Sequence, residues 1–252
     1  MNKKFCMMKQ LKIFRHIALV AGILFFTINT KAQEMKIADT SLSLQQIEII
    51  TISSFTATGD LIKLKTALNA GLEAGLTINE IKEVLVHLYA YCGFPRSIRG
   101  LQTFMDVLDE RKKKGVSDEV GKEPILHADE RNKYQRGVKT LYELTGLTWD
   151  TPKSGYGAFA PVIDTFLKEH LFADIFERDV LNYAQRELVT ISVLSSIGGV
   201  EPMLRSHLNI CLNVGLTPNQ LQQFVEVIHK STGRENAVAA QNALNEILKN
   251  RK

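Results

Sequence analysis

Asn69-Ala-Gly-Leu-Glu-Ala-Gly75-Leu76-Thr77 is the stretch that decides the fold, because the chain repeats it later as Asn209-Ile-Cys-Leu-Asn-Val-Gly215-Leu216-Thr217. The offset is 140 residues, and the match continues without a gap as far as Leu108 and Leu248. Similarity at a fixed, long offset is typical of a duplicated structural unit. The sequence therefore predicts two copies of one unit within a chain of 252 residues.

The two copies also resemble each other upstream of this match. The run from Ile47 to Ser53 corresponds to the run from Arg186 to Ser192, at an offset of 139 residues. Apolar residues recur at three- and four-residue spacing in both copies, as expected for amphipathic helices. Thr77 followed by Glu80 is the signature of a capping box at a helix start. Because no segment alternates apolar and polar residues, we expect an all-α fold. It would contain two four-helix units related by an internal pseudo-twofold axis.

The first 32 residues predict a secretory signal peptide. They contain six Lys or Arg residues and no acidic residue, and they include the apolar run from Ile17 to Ile28. That run is shorter than the roughly 20 residues that span a bilayer, and Thr30-Lys31-Ala32 is an acceptable cleavage site. We therefore expect an exported, periplasmic protein with no membrane span after cleavage. An uncleaved N-terminal anchor is the alternative.

The remaining chain divides into three predicted segments. They are a first repeat (41–114), a solvated linker (115–129) rich in Gly, Pro, Ser and charged residues, and a second repeat with an N-terminal lead-in (130–252). The six basic residues of the leader exceed the formal net charge of +4, so the remainder is mildly acidic, at −2. Such a charge gives no electrostatic case for nucleic-acid binding.

Several motifs resemble the carboxymuconolactone decarboxylase family, which also contains the alkylhydroperoxidase AhpD. They are Arg186-Glu187-Leu-Val-Thr-Ile, Leu204-Arg205-Ser206-His207-Leu and Asn213-Val-Gly215-Leu216-Thr217, with Gly75-Leu76-Thr77 and Tyr91-Cys92-Gly93-Phe94-Pro95 in the first copy. The resemblance covers about 43–108 and 159–249. It implies a duplicated AhpD-like helical bundle, a small-molecule substrate and a homo-oligomer, most plausibly a trimer.

The redox branch of this family relies on a Cys-x-x-Cys pair between a glutamate and a histidine. The matching stretches here, Ser195 to Met203 and Ser54 to Asp60, contain no cysteine. Cys92 and Cys211 lie at different positions of the repeat, and each is expected to be a small buried hydrophobe. A disulfide between Cys92 and Cys211 is the alternative, although the sequence does not indicate one. Thiol-dependent peroxidase activity is accordingly less favoured than the two functions described below.

Glu187 and His207 stand where the redox branch keeps its glutamate and histidine. Consecutive antiparallel helices would let their side chains meet. The first copy keeps Glu48 but has Ala67 at the position of His207. We therefore expect the second copy to carry the chemistry and the first copy to have a structural or pocket-lining role.

The decarboxylase branch implies removal of CO₂ from a carboxylated unsaturated lactone without a cofactor. His207 would be the general acid, Glu187 would orient it, and Arg205 would hold the substrate carboxylate. Further candidate substrate-binding residues are His229, Tyr89 and Glu48. The alternative for Arg205 is an exposed helix charge, and for Glu187 a bond to a helix terminus. For His229, Tyr89 and His87, packing is the alternative.

The sequence supports no metal site, since it has neither a His-Glu-x-x-His motif nor a paired-cysteine motif. Two functions of different classes remain open. The first is a cofactor-free lyase, or a related lactone-processing enzyme, of the carboxymuconolactone decarboxylase type. The second is an exported binding or assembly protein that keeps this fold without catalysis.

Overall fold

A computed structural model describes residues 41–125, 131–148 and 155–251, and in these ranges all regular structure is helical. The first repeat has four helices: α1 (Leu44–Thr58), α2 (Leu61–Glu73), α3 (Ile78–His87) and α4 (Tyr89–Lys113). The lead-in contains α5 (Lys133–Thr145), α6 (Gly155–Phe159), α7 (Pro161–Phe166) and a π-helical segment, Leu167–Ile175. The second repeat has α8 (Tyr183–Ile197), α9 (Glu201–Asn213), α10 (Pro218–Thr232) and α11 (Arg234–Asn250).

Local sequence signals explain where these helices begin. Ser43, Thr77, Asn182 and Thr217 each accept from the backbone N–H three residues later, and a Glu or Gln side chain at that later position bonds back. These capping boxes satisfy donors that a helix start would otherwise leave unpaired. Two of these four caps, Thr77 and Thr217, occupy equivalent positions and start the third helix of each copy.

The two repeats pack on each other through their first helices, α1 and α8. Later helices of each repeat also contact the first helix of the other repeat: α10 packs on α1, and α3 and α4 pack on α8. One apolar core runs through both copies, from Ile49 and Leu64 in the first to Leu188 and Leu208 in the second. The expected duplicated all-α fold is confirmed.

The lead-in packs beside the second repeat around a smaller core. Gly137 of α5 lies against the π-helical segment so closely that a Cβ atom would meet the Lys168 carbonyl oxygen at 1.8 Å. Lys168 is buried and bonds both oxygens of Asp164, at 2.8 and 2.7 Å, and the Tyr134 hydroxyl at 3.0 Å. This pairing accounts for the burial of a lysine in an apolar setting.

Two helix boundaries differ from the sequence expectation. From Gly93 and Pro95, the sequence predicts a third helix that reaches Cys92 and a fourth that starts near Arg96. In the structure the third helix ends at His87 and the fourth begins at Tyr89. One helical turn then precedes Gly93, whose φ of 81° and ψ of 161° kink α4. A positive φ is readily adopted only by glycine, so the kink falls there. The kink therefore leaves residues 89–92 as the first turn of α4.

The linker is exposed but attached to the first repeat. Carbonyl groups of Glu119 and Val120 accept from the N–H groups of Ile78 and Asn79, both at 2.9 Å. These are first-turn donors of α3, which have no partner within the helix. The buried Asn79 amide also donates to the Gly121 and Lys122 carbonyls. The linker thus completes the N-terminus of α3.

The predicted signal peptide, residues 1–32, lies outside the described residues, as do Trp149 and Pro152 of the glycine-rich loop. Among the helices that the structure describes, none combines the length and apolar character needed to cross a membrane.

Candidate active site

Glu187 and His207 form a hydrogen-bonded pair between adjacent helices of the second repeat. Nδ1 of His207 lies 2.8 Å from Oε2 of Glu187. Glu187 on α8 is fully buried, whereas the His207 side chain on α9 is 14% exposed. Nε2 of His207 makes no hydrogen bond within the described part of the chain. The arrangement therefore holds one ring nitrogen on a carboxylate and leaves the other free for a substrate.

A second buried cluster lies beside this pair and joins the two repeats. Glu83 on α3 bonds Nε and Nη2 of Arg178 in a bidentate contact, with distances of 2.8 and 2.9 Å. Its Oε1 also accepts from Nη2 of Arg186 at 2.9 Å. Arg186 is fully buried and donates in addition to the Arg178 carbonyl oxygen. One carboxylate from the first copy thus binds two guanidinium groups, Arg178 before α8 and Arg186 in its first turn, and the three side chains together keep a net positive charge.

His87 connects this cluster to α8. Its Nδ1 lies 3.2 Å from Nη1 of Arg186, and its Nε2 lies 3.0 Å from Oγ1 of Thr190. Because a guanidinium can only donate, Nδ1 must accept and the proton of the ring must lie on Nε2. Burial first, then the charge of Arg186 and the proximity of His207, hold the pKa of His87 well below its ordinary value of 6.5. His87 is accordingly neutral in the folded protein.

The buried neutral state of His87 makes folding stability depend on pH. Below about pH 6.5 the unfolded chain takes up a proton at His87 that the folded chain does not accept. Stability is therefore complete above that pH and is lost as pH falls below it. Between about pH 7.5 and pH 5.5 this one group should cost wild type about 1 kcal/mol of unfolding free energy.

Urea unfolding of wild type and His87→Gln at both pH values measures this contribution. Glutamine can accept from Arg186 and donate to Thr190 but does not titrate, so the acid-dependent loss should be smaller in the variant by about 1 kcal/mol. Equal losses in the two proteins would show that His87 is not held neutral.

The other predicted site residues lie away from the pair. Arg205, two residues before His207 on α9, faces another side and forms a 3.5 Å ion pair with Glu246. His229 is exposed in the last turn of α10, and the Tyr89 ring stacks on Phe94 at 4.6 Å. Glu48 on α1 is half-buried, and burial raises its pKa. Within the described ranges, no hydrogen bond, ion pair or ring contact joins these four residues to Glu187 or His207.

Three of the cavities on described residues are lined by neither Glu187 nor His207. The first, of about 590 Å³, opens between α5 and the start of α8 and includes Arg178, Phe176 and Tyr183. The second, of about 130 Å³, lies where the redox branch carries its cysteines and is lined by Ser195, Gly199 and other residues. The third, of about 590 Å³, lies between α2 and α4. No group of three or more His, Cys, Asp or Glu in the described ranges could hold a metal ion.

Comparison with known proteins places the chain in a family. The family model described as "Carboxymuconolactone decarboxylase family" matches residues 25–104 and 161–246, which is more than half of the sequence. The chain belongs to the carboxymuconolactone decarboxylase family. It is also similar to 4-carboxymuconolactone decarboxylase of Acinetobacter baylyi (strain ATCC 33305 / BD413 / ADP1), with 25% identity over 122 residues. That match covers 48% of this chain and 90% of the relative.

The two matched regions of the family model correspond to the two repeats, so the chain is a two-copy member. Cys92 and Cys211 are free thiols in the structure. Burial raises the pKa of Cys92 to about 11 and that of the fully buried Cys211 well above 9.0. Since the thiolate is the reactive form, neither is set up as a redox nucleophile. This agrees with the absence of cysteine from the position used by the redox branch.

Glu83 and Arg178 were not predicted from the sequence as neighbours of the site. Arg186, Thr190 and Tyr91 were predicted only as parts of family motifs, without a role. One available signal was that Glu83 and His87 are polar residues four apart on the apolar face of α3, where burial requires partners. Their partners on α8 lie about a hundred residues away in sequence, which no spacing rule supplies.

Proposed function

We propose that the protein is a small-molecule enzyme of the carboxymuconolactone decarboxylase type. It would remove CO₂ from a carboxylated unsaturated lactone, or carry out related lactone chemistry, without a cofactor. The observation that supports this most is the 2.8 Å contact between His207 Nδ1 and the fully buried Glu187 carboxylate. A carboxylate that holds one imidazole nitrogen orients the other and stabilises the protonated ring.

In the proposed step, the bond between the substrate ring and its carboxylate breaks. CO₂ leaves, and the bonding electron pair passes into the conjugated lactone as a dienolate. His207 delivers the proton on Nε2 to carbon, while Nδ1–H stays on Glu187. The ring then recovers a proton from solvent, so the net change is replacement of a carboxylate by hydrogen. General acid catalysis of this kind contributes typically about 10²- to 10⁴-fold in rate.

The second candidate is a binding or assembly protein that keeps the fold without catalysis. One observation favours it, namely that the first copy has Ala67 where the second has the histidine. For either candidate, we propose export to the periplasm and assembly of identical chains as a trimer.

Turnover of a panel of carboxymuconolactones by the purified protein tests this proposal. Absorbance of the unsaturated ring is followed together with CO₂ release, and we expect both to change at equal rates. Binding of a lactone without CO₂ release would favour the second candidate. Neither binding nor release across the panel would contradict the proposed substrate class.

A further inference from the structure

Of the buried polar atoms near the pair that have no hydrogen-bond partner in the described part of the chain, two complement each other. They are the hydroxyl of Tyr91 and Oε1 of Glu187, the carboxylate oxygen that does not face His207. A tyrosine hydroxyl can donate and a carboxylate oxygen can only accept, so the two atoms are chemically complementary. Buried polar atoms in folded proteins are nearly always paired. Two complementary unpaired atoms at one site therefore indicate an interaction made in the working state.

Contacts around Tyr91 bring its ring to the pair. The ring meets His207 edge-on, with centroids 5.8 Å apart and planes at 84°. Burial, and then the charge of Glu187, raise the pKa of Tyr91, so the hydroxyl keeps its proton and remains a donor. The Thr190 hydroxyl is the other acceptor within reach of Tyr91, and its interaction with Tyr91 lowers the pKa of that tyrosine only in part. It already donates to the Arg186 carbonyl oxygen at 3.0 Å and faces Nε2 of His87 at 3.0 Å, whereas Oε1 of Glu187 is a buried acceptor without a donor.

Comparison of the two copies gives an independent observation. Tyr91 belongs to the first repeat, and the position equivalent to it in the second repeat is Ser231. Because α4 packs on α8, Tyr91 reaches the complete pair of the other copy. Ser231 lies on α10, which packs on α1, the helix of Glu48, where the matching histidine is replaced by Ala67. The chain thus has the tyrosine only opposite the complete pair.

We propose that Tyr91 is a positioning residue for Glu187 and His207. Its hydroxyl donates to Oε1 of Glu187 after a small side-chain adjustment, which fixes the carboxylate with Oε2 on Nδ1 of His207. The first repeat, which lacks the histidine, thereby completes the site of the second. The effect of Tyr91 on turnover rests on the proposed function, whereas its effect on the orientation of Glu187 and His207 does not.

The state of the His207 ring tests this inference without turnover. In protein labelled with [15N]histidine near pH 8, ring 15N shifts, assigned with His207→Ala, should show a single tautomer with its proton on Nδ1. Tyr91→Phe keeps the ring and its edge contact but removes the donor, so the carboxylate is no longer fixed. The two 15N shifts should then move towards each other as the tautomers mix. Tyr142→Phe, an exposed tyrosine on α5, is the matched control and should change neither shift.

Unchanged shifts in Tyr91→Phe would overturn the inference and leave Tyr91 as a packing residue. If that variant does not fold, wild type grown with 3-fluorotyrosine replaces it, because the hydroxyl of 3-fluorotyrosine is a stronger donor. The His207 15N shifts should then differ from those of unlabelled-tyrosine wild type, and identical shifts would also overturn the inference. Where a lactone is turned over, kcat should fall about tenfold or more while KM changes little. Shifted tautomers without any turnover would contradict the proposed function but support the role of Tyr91.

Discussion

Replacing His207 with alanine should lower kcat/KM for a carboxylated unsaturated lactone by at least about 100-fold. Nε2 of His207 is the ring nitrogen that can deliver a proton, because Nδ1 is hydrogen-bonded to Glu187. The variant also leaves the fully buried Glu187 carboxylate without its hydrogen-bond partner, so its thermal transition should fall below that of wild type. UV-monitored turnover is therefore compared at a temperature at which both proteins are folded.

His170→Ala is the matched control for this loss. His170 is about half-exposed and contacts Asp174 at 3.2 Å in the lead-in, so it shares the chemistry of His207 but not its carboxylate partner on α8. The control should retain turnover within about twofold, as for most surface substitutions. Similar activity in wild type and His207→Ala would remove the assignment of His207 as the acid.

Replacing Glu83 with alanine should destabilise the protein by about 3–5 kcal/mol, because it leaves a buried charge without its partner. Glu83 is 3% exposed and Arg186 is fully buried, and the carboxylate also bonds Arg178 across the boundary between repeats. The urea midpoint should fall accordingly, with the slope of the transition little changed.

Glu73→Ala provides the comparison at the surface. Glu73 is 71% exposed in its ion pair with Arg111, so its loss should cost no more than about 1 kcal/mol. The double change Glu83→Leu with Arg186→Met should recover much of the stability lost in Glu83→Ala. It removes the fully buried guanidinium together with the carboxylate and leaves unpaired only Arg178, which is 31% exposed. Equal losses from Glu83→Ala and Glu73→Ala would contradict the description of a buried charge cluster.

The fold could be predicted because its signals are local or repeated. The doubled Gly-Leu-Thr stretch marked equivalent turns, and the capping residues Thr77 and Thr217 begin α3 and α10 as expected. The end of α3 was not predictable in this way. The helix breaks after His87, where no glycine or proline stands, and the glycine that seemed to end it, Gly93, instead kinks α4.

The candidate site could likewise be predicted from the sequence only in part. Glu187 and His207 lie twenty residues apart on consecutive helices, so sequence offset alone could place them together. Their neighbours Glu83, His87 and Tyr91 come from the other repeat, and only the packing of α3 and α4 on α8 brings them close. Tyr89 was selected by its repeat position, but the kinked start of α4 turns that ring to Phe94 and brings Tyr91 to the pair.

Glu187 and His207 are proposed to act as one unit on a lactone substrate. The most direct measurement is kcat/KM for wild type, Glu187→Gln, His207→Ala and the double variant under one set of conditions. Residues that act through one another give losses that do not multiply. We predict that the double variant is no slower than His207→Ala alone. Losses that multiply across the two changes, or no turnover by wild type, would contradict the claim.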